Sequence, residues 1–191
     1  MAKKAVFCKE TIIPIFNSLF QETYQTVLCQ GKGEPLYLPK NPQQPYHKVI
    51  FAPTSAQSAL HEVSHWCLAG TKRRLLEDYG YWYEPDGRSK EKQEEFLKVE
   101  ARPQALEWIF SVAAGQRFYI SLDNLTSPTP AKDPQSSLFK ESVRQHFLDF
   151  LEKGLPKRAA SFKNSLIAHY TSQEAFEGTL SQIKDEKTLP L

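Results

Sequence analysis

Phe16, Leu19, Phe20, Tyr24, Val27 and Leu28 recur at intervals of three and four, the period of a helix with one apolar face. The spacing predicts a first helix over about Thr11–Leu28, with Pro14 tolerated because it falls in the first turn. The next stretch, Gln30–Tyr46, is rich in Gly and Pro and holds one short strand, Pro35–Leu38; Lys48–Ala52 reads as a second, closed by Pro53. Ser55 is the natural N-cap of a helix reaching about Ala69, with Gly70 as its stop. Thr71–Tyr79 reads as one or two further helical turns, and Tyr79–Gly87 as a turn-rich aromatic loop. Ser89 caps a third helix, interrupted at Pro103 and resumed to about Phe118, so one kinked helix or two abutting ones are expected. Asp123–Gln135 carries three prolines and reads as a linker. Helices over Ser136–Lys153, ended by Gly154, Lys157–Tyr170 and Ser172–Ile183 follow, then a frayed tail, Lys184–Leu191. The pattern predicts an α+β fold: one helix-dominated domain over residues 1–191, with a small sheet.

Composition narrows the class. Of 191 residues, 40% are hydrophobic and 12% aromatic, enough to close a core and to exclude wholesale disorder. The formal net charge is only +2, which argues against a general nucleic-acid binder. Cys8, Cys29 and Cys67 are odd in number and lack paired spacing, so a reducing compartment fits better than a disulfide framework. No segment approaches the ~18 apolar residues of a membrane span, and Lys9, Glu10 and Pro14 break any signal-peptide core. We expect a monomer of the cytoplasm with no nucleic-acid or membrane partner.

The strongest chemical signal is His61-Glu62-Val63-Ser64-His65, an H-E-x-x-H sequence inside the Ser55-capped helix. Residues four apart lie on one helical face, so both histidines can reach one cation. Glu62 projects about 100° away and can sit beside a metal-bound water as the catalytic carboxylate. The bland alternative is a pair of ordinary histidines around a solvated Glu. It weakens once a third ligand is named.

That ligand is expected from the helix after Val99. Leu106, Trp108, Ile109, Phe110, Val112, Ala113 and Ala114 make it apolar nearly all round, hence buried. Against that background Glu100, Gln104, Glu107 and Ser111 form one polar stripe, and a buried carboxylate needs a partner or a metal. Arg73, Arg74 or Arg102 could pair with either Glu. Glu100, beside the interruption at Pro103, is the preferred ligand; Glu107, two turns on, would orient a ligand or hold substrate. His47, His146 and His169 read as ordinary histidines, and Cys67 as core.

Two histidines and a carboxylate leave open coordination positions. With zinc and Glu62 as general base they make a metallopeptidase; with iron(II) they make a triad that activates dioxygen. A metal-stabilised binding module fits less well, because structural zinc sites are closed by four protein ligands. A peptidase would need an exposed edge strand, for which Lys48–Ala52 is available. The aromatic loop sets Tyr79, Tyr81, Trp82 and Tyr83 among Asp78, Glu84 and Asp86. That mixture suits a cationic ligand, although core aromatics with solvated acids would read the same.

Residues 61–70 (HEVSHWCLAG), 73–88 (RRLLEDYGYWYEPDGR), 99–108 (VEARPQALEW) and 121–125 (SLDNL) together resemble the elongation factor P hydroxylase family of proteobacteria. The resemblance implies a non-haem metal hydroxylase that adds a hydroxyl to a lysine of elongation factor P already extended by a β-lysyl group. It implies a helix-rich fold, with a zincin-like helix arrangement around the motif rather than a jelly roll. It also implies a divalent metal, iron(II) by preference, held by His61, His65 and the Glu placed at Glu100, with dioxygen as cosubstrate. No Arg or Lys is singled out for 2-oxoglutarate. Lys72–Arg74, Arg88 and Lys90 flank the site and offer an acidic partner a docking surface; a solvated charge run would look the same.

Overall fold

The structure, a computed structural model, describes residues 5–80, 90–121 and 134–185; of residues 90–94, 134 and 135 only the backbone is described. Helix α1 spans Lys9–Tyr24, α2 Ala56–Leu68, α3 Lys90–Ala113, α4 Pro134–Lys153, α5 Lys157–Tyr170 and α6 Gln173–Asp185. Strands β1 (Thr26–Gln30), β2 (Leu36–Leu38) and β3 (His47–Phe51) lie between α1 and α2, and 3₁₀ turns cover Arg73–Leu75 and Glu77–Gly80. This is the helix-dominated α+β fold with a small sheet that the hydrophobic pattern predicts.

The first helix is shorter than its periodicity suggests. The chain leaves α1 at Gln25, which takes the left-handed conformation (φ 48°, ψ 42°) and donates its N–H to the Phe20 carbonyl. Val27 and Leu28 then belong to β1, which pairs in parallel with β3, Leu28 opposite Val49. Thr26 and Val27 are β-branched and suit a ladder better than a helix end. Asn17 accepts from the Leu28 N–H at 2.8 Å and ties β1 to the helix it left. Because α1 begins at Lys9, Pro14 is its sixth residue and lies beyond the first turn. The carbonyl of Glu10 therefore loses its usual helical donor.

The sheet order is β1-β3-β2, with β2 antiparallel to β3. The strand expected at Lys48–Ala52 is thus the central one. Both its edges are used, so it offers no edge to an extended peptide.

Helix α2 lies between this sheet and α3, with α1 and α5 also against it. Ala59, Leu60, Val63, Trp66 and Cys67 are buried. At the start of α2, Ser55 accepts from the Ser58 N–H, as a cap should. The far end differs from expectation. Ala69, not a left-handed glycine, closes the helix (φ −62°, ψ 123°), and arginines from elsewhere take its carbonyls. Helix α3 runs unbroken through Pro103 to Ala113 and stops at Gly115, in the left-handed region (φ 66°), short of the Phe118 expected. Helices α4 to α6 lie close to their predicted spans. The tail, expected from Lys184, enters α6 at its first two residues; most of the linker and the rest of the tail lie outside the described residues, as does Ser89.

Candidate metal centre

The motif helix and α3 face each other, and four side chains meet between them. The Nε2 atoms of His61 and His65 are 3.1 Å apart. Glu100 Oε2 lies 3.4 Å from the first and 3.3 Å from the second. Glu107 Oε2 lies 2.8 Å from the other ring nitrogen of His61, Nδ1. Glu100 is 3% exposed, dry enough that a carboxylate there needs cationic company.

The three inner atoms test the site for a cation. Donors held at about 2.0–2.2 Å from one ion in tetrahedral or octahedral directions stand about 2.8–3.6 Å apart. All three sides of the triangle fall inside that window. An ionised Glu107 can only accept, so the proton of its bond to His61 sits on Nδ1. In the neutral imidazole that leaves the Nε2 lone pair aimed into the triangle, the usual division of labour for a metal-binding histidine. Two imidazole nitrogens and one carboxylate oxygen therefore fit a divalent ion.

Electrostatics agree with the geometry. Burial alone would raise the Glu100 carboxyl, but the two imidazoles beside it outweigh burial and hold it well below the usual carboxylate range. Burial opposes a charged His61, yet Glu100 and Glu107 raise its imidazole well above the ordinary value. The carboxylates around the triangle thus favour positive charge at its corners. Glu62 is not among the ligand atoms that converge there. The surrounding protein raises its carboxyl, more than the two histidines lower it.

One cavity of about 520 Å³ reaches the triangle from the side of His65. Leu68, Ala69, Val99 and Pro103 give it apolar walls, buried Tyr79 also lines it, and the exposed residues Lys72, Arg73 and Arg102 complete the lining. Its size suits a small-molecule or side-chain ligand.

Other residues singled out by sequence lie elsewhere. Gln104 spends both ends of its amide on the Ser121 backbone (2.7 and 3.0 Å) and ties down the segment after α3. Asp78 accepts from the Tyr37 N–H at 2.7 Å and so fixes a turn in which Asp78, Tyr79 and Gly80 are all left-handed. Tyr79, in consequence, stacks between Tyr37 (centroids 4.3 Å) and the plane of His65 (6.5 Å). Tyr81, Trp82, Tyr83, Glu84 and Asp86 lie outside the described residues. Cys67 is buried, and burial pushes its thiol up to about 12, a core cysteine as expected. Cys8 and Cys29 are free thiols.

Sequence reasoning missed Arg158. This residue of α5 is buried and donates to the carbonyls of Cys67 (3.0 Å) and Ala69 (2.6 Å), the last turn of the motif helix. Its guanidinium lies 4.5 Å from the centre of the Trp66 ring, where a cation is attracted to the aromatic face. The contact spans 91 residues of chain, so no local spacing announces it. Arg158→Met should keep the aliphatic stem and strand the Cys67 carbonyl, while Ala69 retains Arg74 as donor. We expect a loss of about 2–3 kcal/mol, read in metal-free protein as a fall in Tm of about 4–10 °C. A shift below about 1 °C would mean that water caps the helix equally well.

Comparison with known proteins gives a coherent picture. The match to the elongation factor P hydroxylase family covers residues 15–179. A Haemophilus influenzae protein named elongation factor P lysine hydroxylase is 50% identical over 165 residues, 86% of this chain and 90% of that protein.

Proposed function

From the chain's place in the elongation factor P hydroxylase family, to which it belongs, we propose that it hydroxylates a β-lysylated lysine of elongation factor P. We propose that it does so at a metal site made by His61, His65 and Glu100. The observation that carries this reading is the triangle of two imidazole nitrogens and one carboxylate oxygen, in a chain half identical to a named lysine hydroxylase. Iron(II) bound there would supply dioxygen activation.

The chain's own residues prepare that chemistry. Glu107 keeps the His61 proton on Nδ1 and the Nε2 lone pair directed inward. Glu100 is held ionised in a buried place, so it is a donor atom at working pH. Leu68, Ala69, Val99 and Pro103 offer the methylene chain of the modified lysine an apolar wall that excludes water. Glu62, the remaining carboxylate of the motif, is our candidate acceptor for an ammonium group of that side chain. It makes no hydrogen bond or ion pair to the described residues, and an ammonium would offset the cost of its burial.

The test is direct. The protein, loaded with iron(II), is incubated with β-lysylated elongation factor P under ¹⁸O-labelled dioxygen, and the modified peptide is weighed by mass spectrometry. One added oxygen atom carrying the label is expected. An unlabelled hydroxyl, or peptide-bond cleavage that persists without oxygen, would overturn the hydroxylase reading. It would favour a zinc peptidase, with Glu62 taking the proton from the attacking water.

A further inference from the structure

Four rings form a column that starts at the triangle and ends near the surface. The Tyr79 ring lies parallel to the plane of His65 (9°, centroids 6.5 Å), Tyr37 stacks on Tyr79 (20°, 4.3 Å), and His47 lies parallel to Tyr37 (8°, 6.1 Å). Tyr37 and Tyr79 are buried, whereas His47 is partly exposed. The other stacked pairs among the described residues join Trp108 to Phe118 and Phe147. Phenylalanine gives up an electron far less readily than tyrosine does.

Packing alone does not account for this column. Tyr79 takes the left-handed conformation (φ 60°), which is strained for a bulky residue. Its hydroxyl is buried with no hydrogen-bond partner among the described residues, a cost that phenylalanine in the same space would not carry. Tyr37 differs in having a base beside it. Its hydroxyl lies 2.9 Å from the Arg74 carbonyl and 3.1 Å from Nδ1 of His47. The Lys40 N–H donates to that same Nδ1 at 3.1 Å, so in the neutral ring the imidazole proton is on Nε2. A phenol that loses an electron becomes a strong acid. Tyr37 has a nitrogen lone pair to take its proton, and Tyr79 has none.

The reaction proposed above gives such a column a use. Hydroxylation puts one atom of dioxygen into a C–H bond and releases the other as water, with two electrons and two protons from a reductant. Without substrate there is no C–H bond to oxidise, and the oxidant made from dioxygen takes electrons from the groups nearest to it, His61 and His65 among them. We propose that Tyr79 and Tyr37 are a relay that carries this oxidising equivalent away from the metal ligands toward the surface at His47. Tyr79 gives up one electron toward the His65 side, Tyr37 refills Tyr79, and the Tyr37 phenol passes its proton to His47 Nδ1. A neutral Tyr37 radical and a protonated His47 remain. A one-electron donor of the thiol or ascorbate class, arriving at His47, returns one electron, and the proton goes back to the Tyr37 oxygen. This inference rests on the functional reading above and adds what protects the site when dioxygen is consumed without substrate.

The readout is a radical and its products, not turnover. Protein loaded with iron(II) is mixed with dioxygen in the absence of substrate, frozen at intervals and read by electron paramagnetic resonance, with ring-deuterated tyrosine to identify the signal. Wild type should give a tyrosyl signal that ascorbate quenches. Tyr37→Phe keeps the stack and should abolish the signal. His47→Phe keeps a ring but removes the base, and should abolish it too. Tyr79→Phe removes only an unpaired hydroxyl, so it should fold as wild type does while lowering the yield of the radical. Mass spectrometry of the digested protein should find more oxygen added to His61 and His65 in Tyr37→Phe and Tyr79→Phe than in wild type. The relay is overturned if a wild type that hydroxylates β-lysylated elongation factor P gives no tyrosyl signal. It is overturned too if the signal is undiminished in all three variants, or if oxidation of the two histidines is the same with and without the phenols. A wild type that consumes no dioxygen brings down the functional reading itself, and the relay with it.

Discussion

Replacing His61, His65 or Glu100 by alanine should empty the metal site and stop turnover. Each contributes one corner of a triangle whose sides are 3.1, 3.3 and 3.4 Å, and two remaining corners hold a divalent ion poorly. Activity should fall by more than ~100-fold, beyond the 10–100-fold typical of residues that only orient a ligand. Metal content of the purified variants, by elemental analysis, should fall with it. Full occupancy in all three variants would refute the site. Acid should act in the same direction. Against the effect of burial, Glu100 and Glu107 raise the His61 imidazole well above its ordinary value, so a proton competes for the ring that a cation needs. A cation must displace that proton, so apparent metal affinity should fall as pH drops below the raised value, by about tenfold per pH unit for each proton released. Affinity independent of pH there would mean that the cation binds elsewhere.

What the sequence made legible was local. Positions 61 and 65 lie one helical turn apart in a segment with a good cap, so their shared face follows from helix geometry alone. The stripe Glu100–Gln104–Glu107–Ser111 is legible for the same reason, as four polar residues on an otherwise apolar stretch of helix. Which stripe member turns to which partner is not legible, because it depends on how far α3 is rotated against α2. Gln104, equal to its neighbours in the pattern, is turned to Ser121 instead. Helix α1 ends before its apolar period does because Val27 and Leu28 continue that period by coincidence, while a parallel ladder to a strand about twenty residues away decides their conformation. Arg158 and the Tyr37–Tyr79–His65 stack are long-range in the same way. They brace the site without any spacing that could announce them.

The choice between Glu100 and Glu107 is where structure adds most, and the variants of Glu107 test it. Nδ1 and Nε2 lie on diverging edges of the imidazole ring. A carboxylate 2.8 Å from Nδ1 of His61 cannot also bind a cation held by Nε2 of that ring. Glu107 therefore acts on the site through His61, fixing its tautomer and tilt and making its lone pair more basic. Glu107→Ala should leave the triangle intact but let the ring turn, and we expect metal affinity or activity to fall about 10–100-fold. Glu107→Gln keeps an oxygen that accepts the Nδ1 proton and loses only the charge, so it should recover most of what Ala loses. The decisive comparison is with Glu100. If Glu107→Ala empties the site while Glu100→Ala keeps metal and turns over, the two carboxylates have exchanged roles, and His61 binds the cation through Nδ1.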